Sequence, residues 1–532
     1  MKKILITFTV CIITCNFTNS QNNDIVNNFN KLRIAYSAIT ALYVDDTNSE
    51  NIVEDAINGV LKKLDPHSSY TNAEETRKMN EPLEANFDGI GIQFNMLLDT
   101  LYVVQVISGG PSEKVGLIAG DRIIMVDSTI IAGVNMQNSD VINHIRGKKG
   151  TEVNIKVKRV SMPNLLDFKI IRDVIPVFSI DATYMADPKT GYIRLNRFAA
   201  SSMEEFEKAF NKLQKQGMKN LILDLQGNGG GYLHIAYALA DQFLDEKKLI
   251  VYTQGNKIER YNNISTAGGL FKDGKLVILV DESSASASEI VSGAIQDWDR
   301  GVIVGRRTFG KGLVQRPIEL PDSSMIRLTI ARYYTPSGRN IQKPYEMGNI
   351  EAYNHDLIDR YNKGELMSAD SIHFPDSLKY NTLISNRTVY GGGGIMPDVF
   401  IPIDSTRSTD YHSKIVRNGI VNRMSMSYID KNRKEMNKKY SNIKKFIDNF
   451  DISDEILQEL ISMAEKNNIE FDEEQFEKSK ELISIQLKAL IARDLFDISE
   501  YYQIINYKND SYNEALRIIN NDEQYKKIIN GS

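Results

Sequence analysis

Apolar residues repeat with a helical period along the first part of the chain. One stripe has apolar residues at steps of three or four: Ile25, Phe29, Leu32, Ala35, Ile39 and Leu42. Such spacing places apolar side chains on one face of a helix. A second stripe runs from Ile52 to Leu64 and ends at Asp65-Pro66, because proline stops a helix. The pattern predicts an N-terminal helical region over residues 24–83.

The period changes in the next region, residues 84–160. Leu101–Ile107 and Val153–Val157 have the composition of strands, and turns rich in Gly, Pro and Asp separate short elements. The pattern predicts a compact, mostly-β domain.

Strands then alternate with helices over residues 161–402. The predicted strands are Tyr192–Leu195, Leu221–Leu225, Leu276–Val280 and Val302–Val304, and the predicted helices are Met203–Gln216, His234–Phe243 and Ser286–Trp298. This alternation is typical of an α/β core with helices packed on a sheet. Residues 343–390 lose the periodicity and are predicted to be an insertion. Helical faces return in the tail, residues 403–532.

The first twenty residues differ in composition from the rest. Lys2 and Lys3 precede an apolar run, Ile4–Thr14, and a polar stretch follows. This order is typical of a secretory signal peptide, here residues 1–20, and predicts a periplasmic or secreted protein. A buried N-terminal strand is the alternative. Lipid attachment at Cys15 is disfavoured, because Thr14 is bulkier than the usual preceding residue.

Composition narrows the chemistry. The chain has 532 residues, enough for about three or four domains, with 64 basic and 69 acidic side chains and therefore no basic excess for nucleic-acid binding. Both cysteines, Cys11 and Cys15, lie in the predicted signal peptide, so the mature chain would have no thiol nucleophile or disulfide. The scattered histidines form no HExxH motif. We predict no metal site and no cofactor.

A serine-rich turn follows the apolar strand Leu276–Val280. Asp281–Glu289 contains four serines, and apolar helical positions follow. A serine at a strand-to-helix turn is exposed, and free N–H groups of the helix start can stabilise an oxyanion. The same serines could equally cap the helix.

A candidate base lies after the next strand. Lys311 stands between Gly310 and Gly312, and a lysine in a desolvated pocket can lose its proton and act as a base. An exposed lysine on a glycine turn is the alternative. A third segment, Leu221–Leu233, is a buried strand that ends in a glycine-rich turn without GxGxxG spacing. That turn could donate an N–H to an oxyanion or could simply be a tight turn.

Together these segments resemble the C-terminal processing peptidases, or tail-specific proteases, which use a Ser–Lys dyad. The resemblance covers roughly residues 30–402 and rests on Ser284–Glu289 and Phe309–Gly312. It implies that Ser286 is the nucleophile, that Lys311 is the base and that Gln315 orients the lysine. It also points to Asp297, which follows the nucleophile segment.

The resemblance further implies that the N–H groups of Ala287 and Gly230 form the oxyanion hole. Many members of the family have Asn-Pro-Gly-Gly where this chain has Asn228–Gly231, and an Arg where it has Gln226. These departures leave open which glycine of Gly229–Gly231 is the donor.

The mostly-β region resembles a PDZ domain through Gly89–Gln93 and Gly110–Leu117. A PDZ groove pairs an extended peptide with a sheet edge and holds its terminal carboxylate on backbone N–H groups. The resemblance implies that the peptide-binding residues are Gly89, Ile90, Gly91 and Ile92. The helix Asn138–Arg146 would flank the groove, with Val141 and Ile145 facing the ligand.

The predicted fold is a multidomain α/β protein with an N-terminal helical segment, a PDZ domain, a ClpP/crotonase-like α/β protease core and a C-terminal helical tail. The predicted function is a serine endopeptidase that binds and cleaves protein tails. The alternatives are a non-catalytic PDZ scaffold and a crotonase-type acyl-CoA enzyme. The expected partners are proteins or peptides with accessible C-termini. The tail could bind an adaptor or a second copy, or it could be a packing layer.

Overall fold

The computed structural model describes residues 24–96, 99–107, 109–160 and 162–531, so the predicted signal peptide lies outside the described residues. The N-terminal region contains three helices and one short strand: α1 (24–42), α2 (Ser49–Leu61), β1 (Ser69–Thr71) and α3 (Ala73–Glu84). Asn72 begins α3 with a capping box, in which its side chain accepts from the N–H of Glu75 while the Glu75 carboxylate accepts from the N–H of Asn72.

The predicted PDZ region is a small β-domain. Its elements are β2 (Asn86–Gly89), β3 (Ile92–Met96), β4 (Leu101–Val106), α4 (Pro111–Lys114), β5 (Arg122–Val126), β6 (Thr129–Ile130), α5 (Asn138–Ile145), β7 (Glu152–Lys158), β8 (Leu166–Ile171) and β9 (Asp173–Pro176). The main sheet has the order β3-β4-β5-β7-β8, and β2 pairs with β9. Strand β3 therefore lies at a sheet edge, where a further strand can pair with it.

The core region contains the largest set of elements. Its strands are β10 (Ile180–Met185), β11 (Thr190–Leu195), β12 (Asn220–Asp224), β13 (Leu249–Gln254), β14 (Tyr261–Ile264), β15 (Leu276–Val280), β16 (Val302–Gly305), β17 (Leu313–Glu319), β18 (Met325–Tyr334), β19 (Lys379–Asn381), β20 (Thr388–Tyr390) and β21 (Val399–Phe400). Its helices are α6 (Ser202–Lys215), α7 (Leu233–Asp241), α8 (Ala287–Asp297) and α9 (Ile350–Asn362). The predicted alternation of strands and helices is present.

A parallel arrangement of strands positions the three candidate segments. The central sheet has the order β10-β11-β12-β15-β16-β21, and β12, β15 and β16 are parallel neighbours. Asp224 lies beside Leu279, and Val280 lies beside Gly305. Chain segments that follow parallel neighbours leave the sheet at the same edge. The glycine-rich turn after β12, the serine-rich turn after β15 and the loop after β16 therefore begin side by side. The last of these, residues 306–312, contains Lys311 and is called the lysine loop below.

Helices cover both faces of the central sheet. One face packs on α6, α7 and α8 in a large apolar cluster that includes Phe206, Leu239 and Ile290. The other face packs on the end of the tail, whose helices are α10 (Asp410–Arg417), α11 (Ile420–Lys439), α12 (Ile443–Asn449), α13 (Asp454–Glu465), α14 (Glu473–Leu495), α15 (Ile498–Ile505), α16 (Asp510–Ile519) and α17 (Asp522–Asn530). Tyr512 and Ile518 of α16 join an apolar cluster with sheet residues. The tail is thus a packing layer of the core; binding of an adaptor or second copy stays a prediction.

The tail also contacts the PDZ region. Helices α10 to α15 share an apolar cluster of their own. Outside this cluster, Met426 of α11 packs against Tyr102 and Val104 of β4. The Tyr102 hydroxyl donates to Asp430 at 2.9 Å, and Asp430 also pairs with Arg122. No helix among the described residues has the length and apolarity that a bilayer span requires.

Two parts of the core were not anticipated from the sequence. A second sheet has the order β1-β18-β13-β14, and β17 pairs with β18 in a long hairpin. Most residues of β18 are partly exposed, so the hairpin lacks the alternation that marks a half-buried strand. The insertion contains helix α9, which buries only Tyr353 and Arg360 and therefore has no apolar stripe.

Candidate active site

Three of the four serines of the serine-rich turn, Ser284, Ser286 and Ser288, have different environments. Ser284 and Ser288 are fully buried, and their hydroxyls donate to the carbonyls of Leu225 and Asn228, both at 2.8 Å. Ser286 instead lines an open cleft of about 510 Å³. Two of the serines therefore hold the glycine-rich turn against the serine-rich turn, and the third is accessible to a substrate.

Ser286 has an unusual backbone conformation at the start of α8. Its φ is +56° and its ψ is −110°, a region that L-residues rarely adopt. Such strain costs about 1–3 kcal/mol and persists only where neighbouring groups hold it. The Ser286 N–H donates to Glu289 at 2.8 Å, and the Tyr333 hydroxyl lies 3.1 Å from the Ser286 carbonyl oxygen. The same hydroxyl contacts the carbonyl oxygen of Lys311.

Glu289 connects the serine-rich turn to the lysine loop. Its fully buried carboxylate accepts four hydrogen bonds, which come from the N–H groups of Ser286, Gly310 and Lys311 and from the Thr308 hydroxyl, at 2.6–2.9 Å. Burial raises the pKa of Glu289 to about 7, while these donors oppose that rise. Sequence reasoning gave Glu289 no role, although it ends the Ser-Ala-Ser-Ala-Ser-Glu segment.

Lys311 lines the same cleft as Ser286. Burial lowers the pKa of the Lys311 ammonium below its usual range, the Glu289 carboxylate raises it, and Arg327 lowers it further. The side chains of Ser286 and Lys311 share the cleft without a direct hydrogen bond between them. The structure therefore brings the predicted nucleophile and base to one site, with a lysine whose proton is easier to remove.

Gln315 also lines the cleft, but its side chain is hydrogen-bonded to Thr329 and not to Lys311. Its Nε2 donates to the Thr329 hydroxyl at 3.2 Å, and that hydroxyl donates to Asp65 at 2.9 Å. The role predicted for Gln315, orientation of the lysine, stays a prediction.

The two predicted oxyanion donors differ in their surroundings. Ala287 is the first residue of α8, where a helix provides no acceptor for the N–H group. The Gly230 N–H instead donates to Oδ1 of Asn228 at 2.9 Å, so its donor is occupied. Its neighbours Gly229 and Gly231 line the cleft, and which glycine of the turn is the second donor stays a prediction. A side chain at Gly230 would lie 2.9 Å from the Ser286 Cβ, which explains the glycine there.

Asp297 lies at the far end of α8, behind the cleft. It pairs with the fully buried Arg339 at 2.7 Å and accepts from the Ser337 N–H at 2.9 Å. This placement makes Asp297 part of the support of the nucleophile helix.

The predicted peptide groove is present between β3 and α5. It has a volume of about 320 Å³ and includes all four predicted residues, Gly89, Ile90, Gly91 and Ile92. One detail of the prediction is wrong. Ile142 and Ile145 line the groove, whereas Val141 is fully buried in the domain core. Arg146, at the end of α5, pairs with Glu81 at 2.5 Å and lies over the Phe87 ring.

Comparison with known proteins identifies the family. Sequence profiles match peptidase family S41 over residues 189–351 and a PDZ domain over residues 89–170. The carboxy-terminal-processing protease of Bartonella bacilliformis is 36% identical over 314 residues, which are 58% of this chain and 71% of that protein. The chain belongs to the carboxy-terminal processing proteases. It is therefore a serine-type peptidase with a PDZ domain.

Other relatives cover a similar share of this chain. The carboxy-terminal processing protease CtpA of Bacillus subtilis is 34% identical over 320 residues, 59% of this chain and 67% of that protein. A solved photosystem II D1 C-terminal processing protease is 28% identical, with a TM-score of 0.33 over 58% of this chain and 88% of that one. Residues 13–76 match the N-terminal domain of the activating protease CtpB, and residues 411–497 match a family of unknown function.

The insertion of this protease packs against the lysine loop on the side opposite Glu289. The buried Arg360 of α9 donates to the carbonyls of Arg307 and Thr308, at 2.7 and 3.2 Å. The hydroxyl of Tyr353, also of α9, contacts His67 Nε2 at 2.8 Å and accepts from Gln342 at 3.2 Å. Gln342 in turn accepts from the Gly312 N–H at 2.8 Å. The lysine loop is therefore held between α8 and α9.

His67 belongs to this support and does not line the cleft. Burial and the charge of Lys311 together lower the pKa of His67 to about 4. A neutral histidine bonded to Tyr353 has a structural role here.

We expect Glu289→Gln to lower kcat about ten- to hundred-fold. The glutamine NH₂ group is a donor, and it would face N–H and O–H donors whose hydrogen bonds the carboxylate now accepts. The acid limb of the pH profile should move to lower pH, because the Glu289 charge raises the pKa of Lys311. Steady-state kinetics across pH measure both effects.

Glu205→Gln is a matched control, since Glu205 accepts from the N–H groups of Ser179 and Ile180 away from the cleft. An unchanged kcat and an unmoved acid limb in Glu289→Gln would contradict the role assigned to this carboxylate.

Tyr353→Phe should reduce the free energy of unfolding by about 0.5–1.5 kcal/mol and lower kcat a few-fold, because the hydroxyl bonded to His67 and Gln342 is lost. Urea denaturation and peptidase kinetics test this. Tyr361→Phe on the same helix is the control, because Tyr361 is 53% exposed. Equal behaviour of the two variants would show that α9 does not support the lysine loop.

Proposed function

We propose that this protease recognises the C-terminal tails of exported proteins through its PDZ domain and cleaves them with a Ser286–Lys311 dyad. The observation that carries the proposal is the contrast among the serines of the turn: Ser284 and Ser288 are buried and bonded, and Ser286 shares a cleft with Lys311. Family membership supports the reaction class, and the predicted signal peptide supports exported substrates.

The reaction begins with proton transfer. Neutral Lys311 accepts the proton of the Ser286 hydroxyl while Oγ attacks the carbonyl carbon of the scissile peptide bond. The Ala287 N–H and a glycine-turn N–H stabilise the negative charge that develops on the carbonyl oxygen. The lysine then gives its proton to the leaving amine, the C–N bond breaks, and an acyl-enzyme remains.

Water completes the cycle. Lys311, neutral again, accepts a proton from the attacking water, and the ester bond to Ser286 breaks as Oγ takes the proton back. The products are two peptides and the unchanged enzyme. The chemistry depends on a neutral lysine, and burial beside Arg327 favours that state more than an exposed position would.

Substrate selection uses the edge of the PDZ sheet. A tail in extended conformation can pair with β3, and its terminal carboxylate can accept from N–H groups of Gly89–Ile92. Ile142 and Ile145 give the groove an apolar wall. The runner-up function is a PDZ scaffold that binds tails without cutting them, and the first experiment below separates the two.

Ser286→Ala and Lys311→Ala should each abolish cleavage of an unfolded substrate, and the double variant should be no worse than either, because nucleophile and base act as one unit. Ser283→Ala is the matched control, since Ser283 is exposed and lies outside the cleft lining. Substrate cleavage by gel assay and far-UV circular dichroism of each variant give the readout. Normal cleavage in either dyad variant would refute the assignment.

Activity of the intact enzyme should rise with pH on its acid limb, because the base must lose its proton and burial lowers the pKa of Lys311. Lys311→Arg should be inactive, since guanidinium stays protonated across this range. An active Lys311→Arg variant would exclude the lysine as base.

A substrate that ends in small apolar residues should be cut faster than the same substrate ending in Asp-Asp, because the groove wall is apolar. Deletion of residues 84–160 should remove the difference, and Ile142→Asp should reduce it. The ratio of the two cleavage rates is the measurement. Equal rates in the intact enzyme would show that the PDZ domain does not recognise the terminus.

A further inference from the structure

Arg327 lies in the active-site cleft with a single neutral partner. It belongs to β18 and lines the same cleft as Ser286 and Lys311. Its Nη2 donates to Oδ1 of Asn80 at 2.9 Å, and among the described residues no carboxylate pairs with its guanidinium. The guanidinium is partly buried, and burial lowers its pKa.

Several other partly or fully buried arginines of the core have carboxylate partners, and the partly buried Arg300 donates to three backbone carbonyls. The pairs are Arg194–Asp224, Arg306–Glu282, Arg307–Glu365, Arg339–Asp297 and Arg387–Asp299. Removing a charge from water is costly unless a partner compensates it. Arg327 differs from these residues because the space in front of it is the cleft.

The cleft itself contains no competing acid. Its lining includes Lys311 and Arg327, and no Asp or Glu is among the described residues that line it. Apolar side chains make up much of the remaining wall, among them Leu233, Leu313 and Met325. A cleft of this kind favours a substrate segment that is largely apolar and carries one negative charge.

We propose that Arg327 binds a carboxylate of the substrate next to the scissile bond, so that the protease prefers a tail with an Asp or Glu side chain at one position beside the cut. The inference rests on the proposed function, because it assigns the cleft to the substrate. A guanidinium holds a carboxylate through two parallel N–H···O hydrogen bonds, which fix its position as well as its charge. Asn80 orients the guanidinium from the side of α3.

A free C-terminal carboxylate has the same chemistry as an acidic side chain. The PDZ groove provides a separate place for the terminus, so the side chain is the source that we assign to Arg327. The two sources are separable with short peptides that carry either an amide or a free acid at the C-terminus.

The experiment uses the full-length enzyme and quenched fluorescent peptides capped by a C-terminal amide. At each position on either side of the scissile bond, one peptide has Asn and its matched peptide has Asp. The value of kcat/KM is measured for both peptides at a pH above the acid limb, where the rate no longer rises with pH (the high-pH plateau). We expect a ratio of about ten-fold or more in favour of Asp at one position, as charge-assisted hydrogen bonds provide. Arg327→Gln should bring that ratio close to one.

Two further variants complete the design. Arg316→Gln removes an exposed arginine of the adjacent strand β17 and should keep the full ratio. Arg327→Lys keeps the positive charge but loses the planar guanidinium that forms two parallel hydrogen bonds, so it should give an intermediate ratio. It also tests the inference if Arg327→Gln fails to fold. The high-pH plateau matters because Arg327 lowers the pKa of Lys311, and its loss shifts the acid limb.

A ratio of one at every position in the intact enzyme, or a preference that survives in Arg327→Gln, would overturn the inference. A third outcome is a preference only for peptides with a free acid over peptides with an amide, which Arg327→Gln removes. It would mean that Arg327 binds the C-terminal carboxylate, and it would overturn the assignment to a side chain. Ser286-dependent cleavage of the neutral peptides shows in each case that the proposed function stands. Absence of such cleavage would refute the proposed function itself.

Discussion

The active site depends on one buried carboxylate. Glu289 is fully buried and accepts from three backbone N–H groups and one hydroxyl, which belong to two segments on neighbouring strands of the sheet. A carboxylate at this depth is costly without donors, so the donors must stay close once α8 has packed on the sheet. The strained backbone of Ser286 and the position of Lys311 are therefore consequences of the same interaction. The hydroxyl of Tyr333 reinforces it by contacting the carbonyls of both residues.

The rest of the core supports this arrangement from two sides. Below it, strands β12, β15 and β16 are parallel and fully or almost fully buried, so the three segments leave the sheet at fixed positions. Beyond the lysine loop, Arg360 and Tyr353 of the insertion bond to the loop and to its neighbours. A loop that contains Gly310 and Gly312 has little rigidity of its own. Contacts on both sides supply the rigidity that keeps Lys311 near Ser286.

The sequence was sufficient to predict those features that a short stretch of residues marks by its composition or spacing. The strand Leu276–Val280 is a continuous apolar run, and the motifs around Ser286 and Lys311 are defined by residue type and spacing. Helix α9 gave no such signal, because it buries a Tyr and an Arg rather than an apolar stripe. The sequence could not choose among the glycines of the turn for another reason: the Gly230 N–H is bonded to the side chain of Asn228, a contact that depends on how the turn folds back. Ile142 could be distinguished from Val141 only by the rotation of α5 about its axis.

Helix α3 contacts a residue of the cleft and a residue of the PDZ groove. Its residue Asn80 accepts from Arg327 in the cleft, and the next residue, Glu81, pairs with Arg146 beside the PDZ groove. Because a helical turn is rigid, the groove and the cleft cannot change their relative position here without breaking one of these contacts. On its other side the PDZ domain is held by Asp430 of the tail, which pairs with Arg122. Partly exposed ion pairs of this kind contribute about 1 kcal/mol or less and weaken with salt. These ion pairs between the PDZ domain and the rest of the protease are therefore weaker than the buried contacts that hold Ser286 and Lys311 in place.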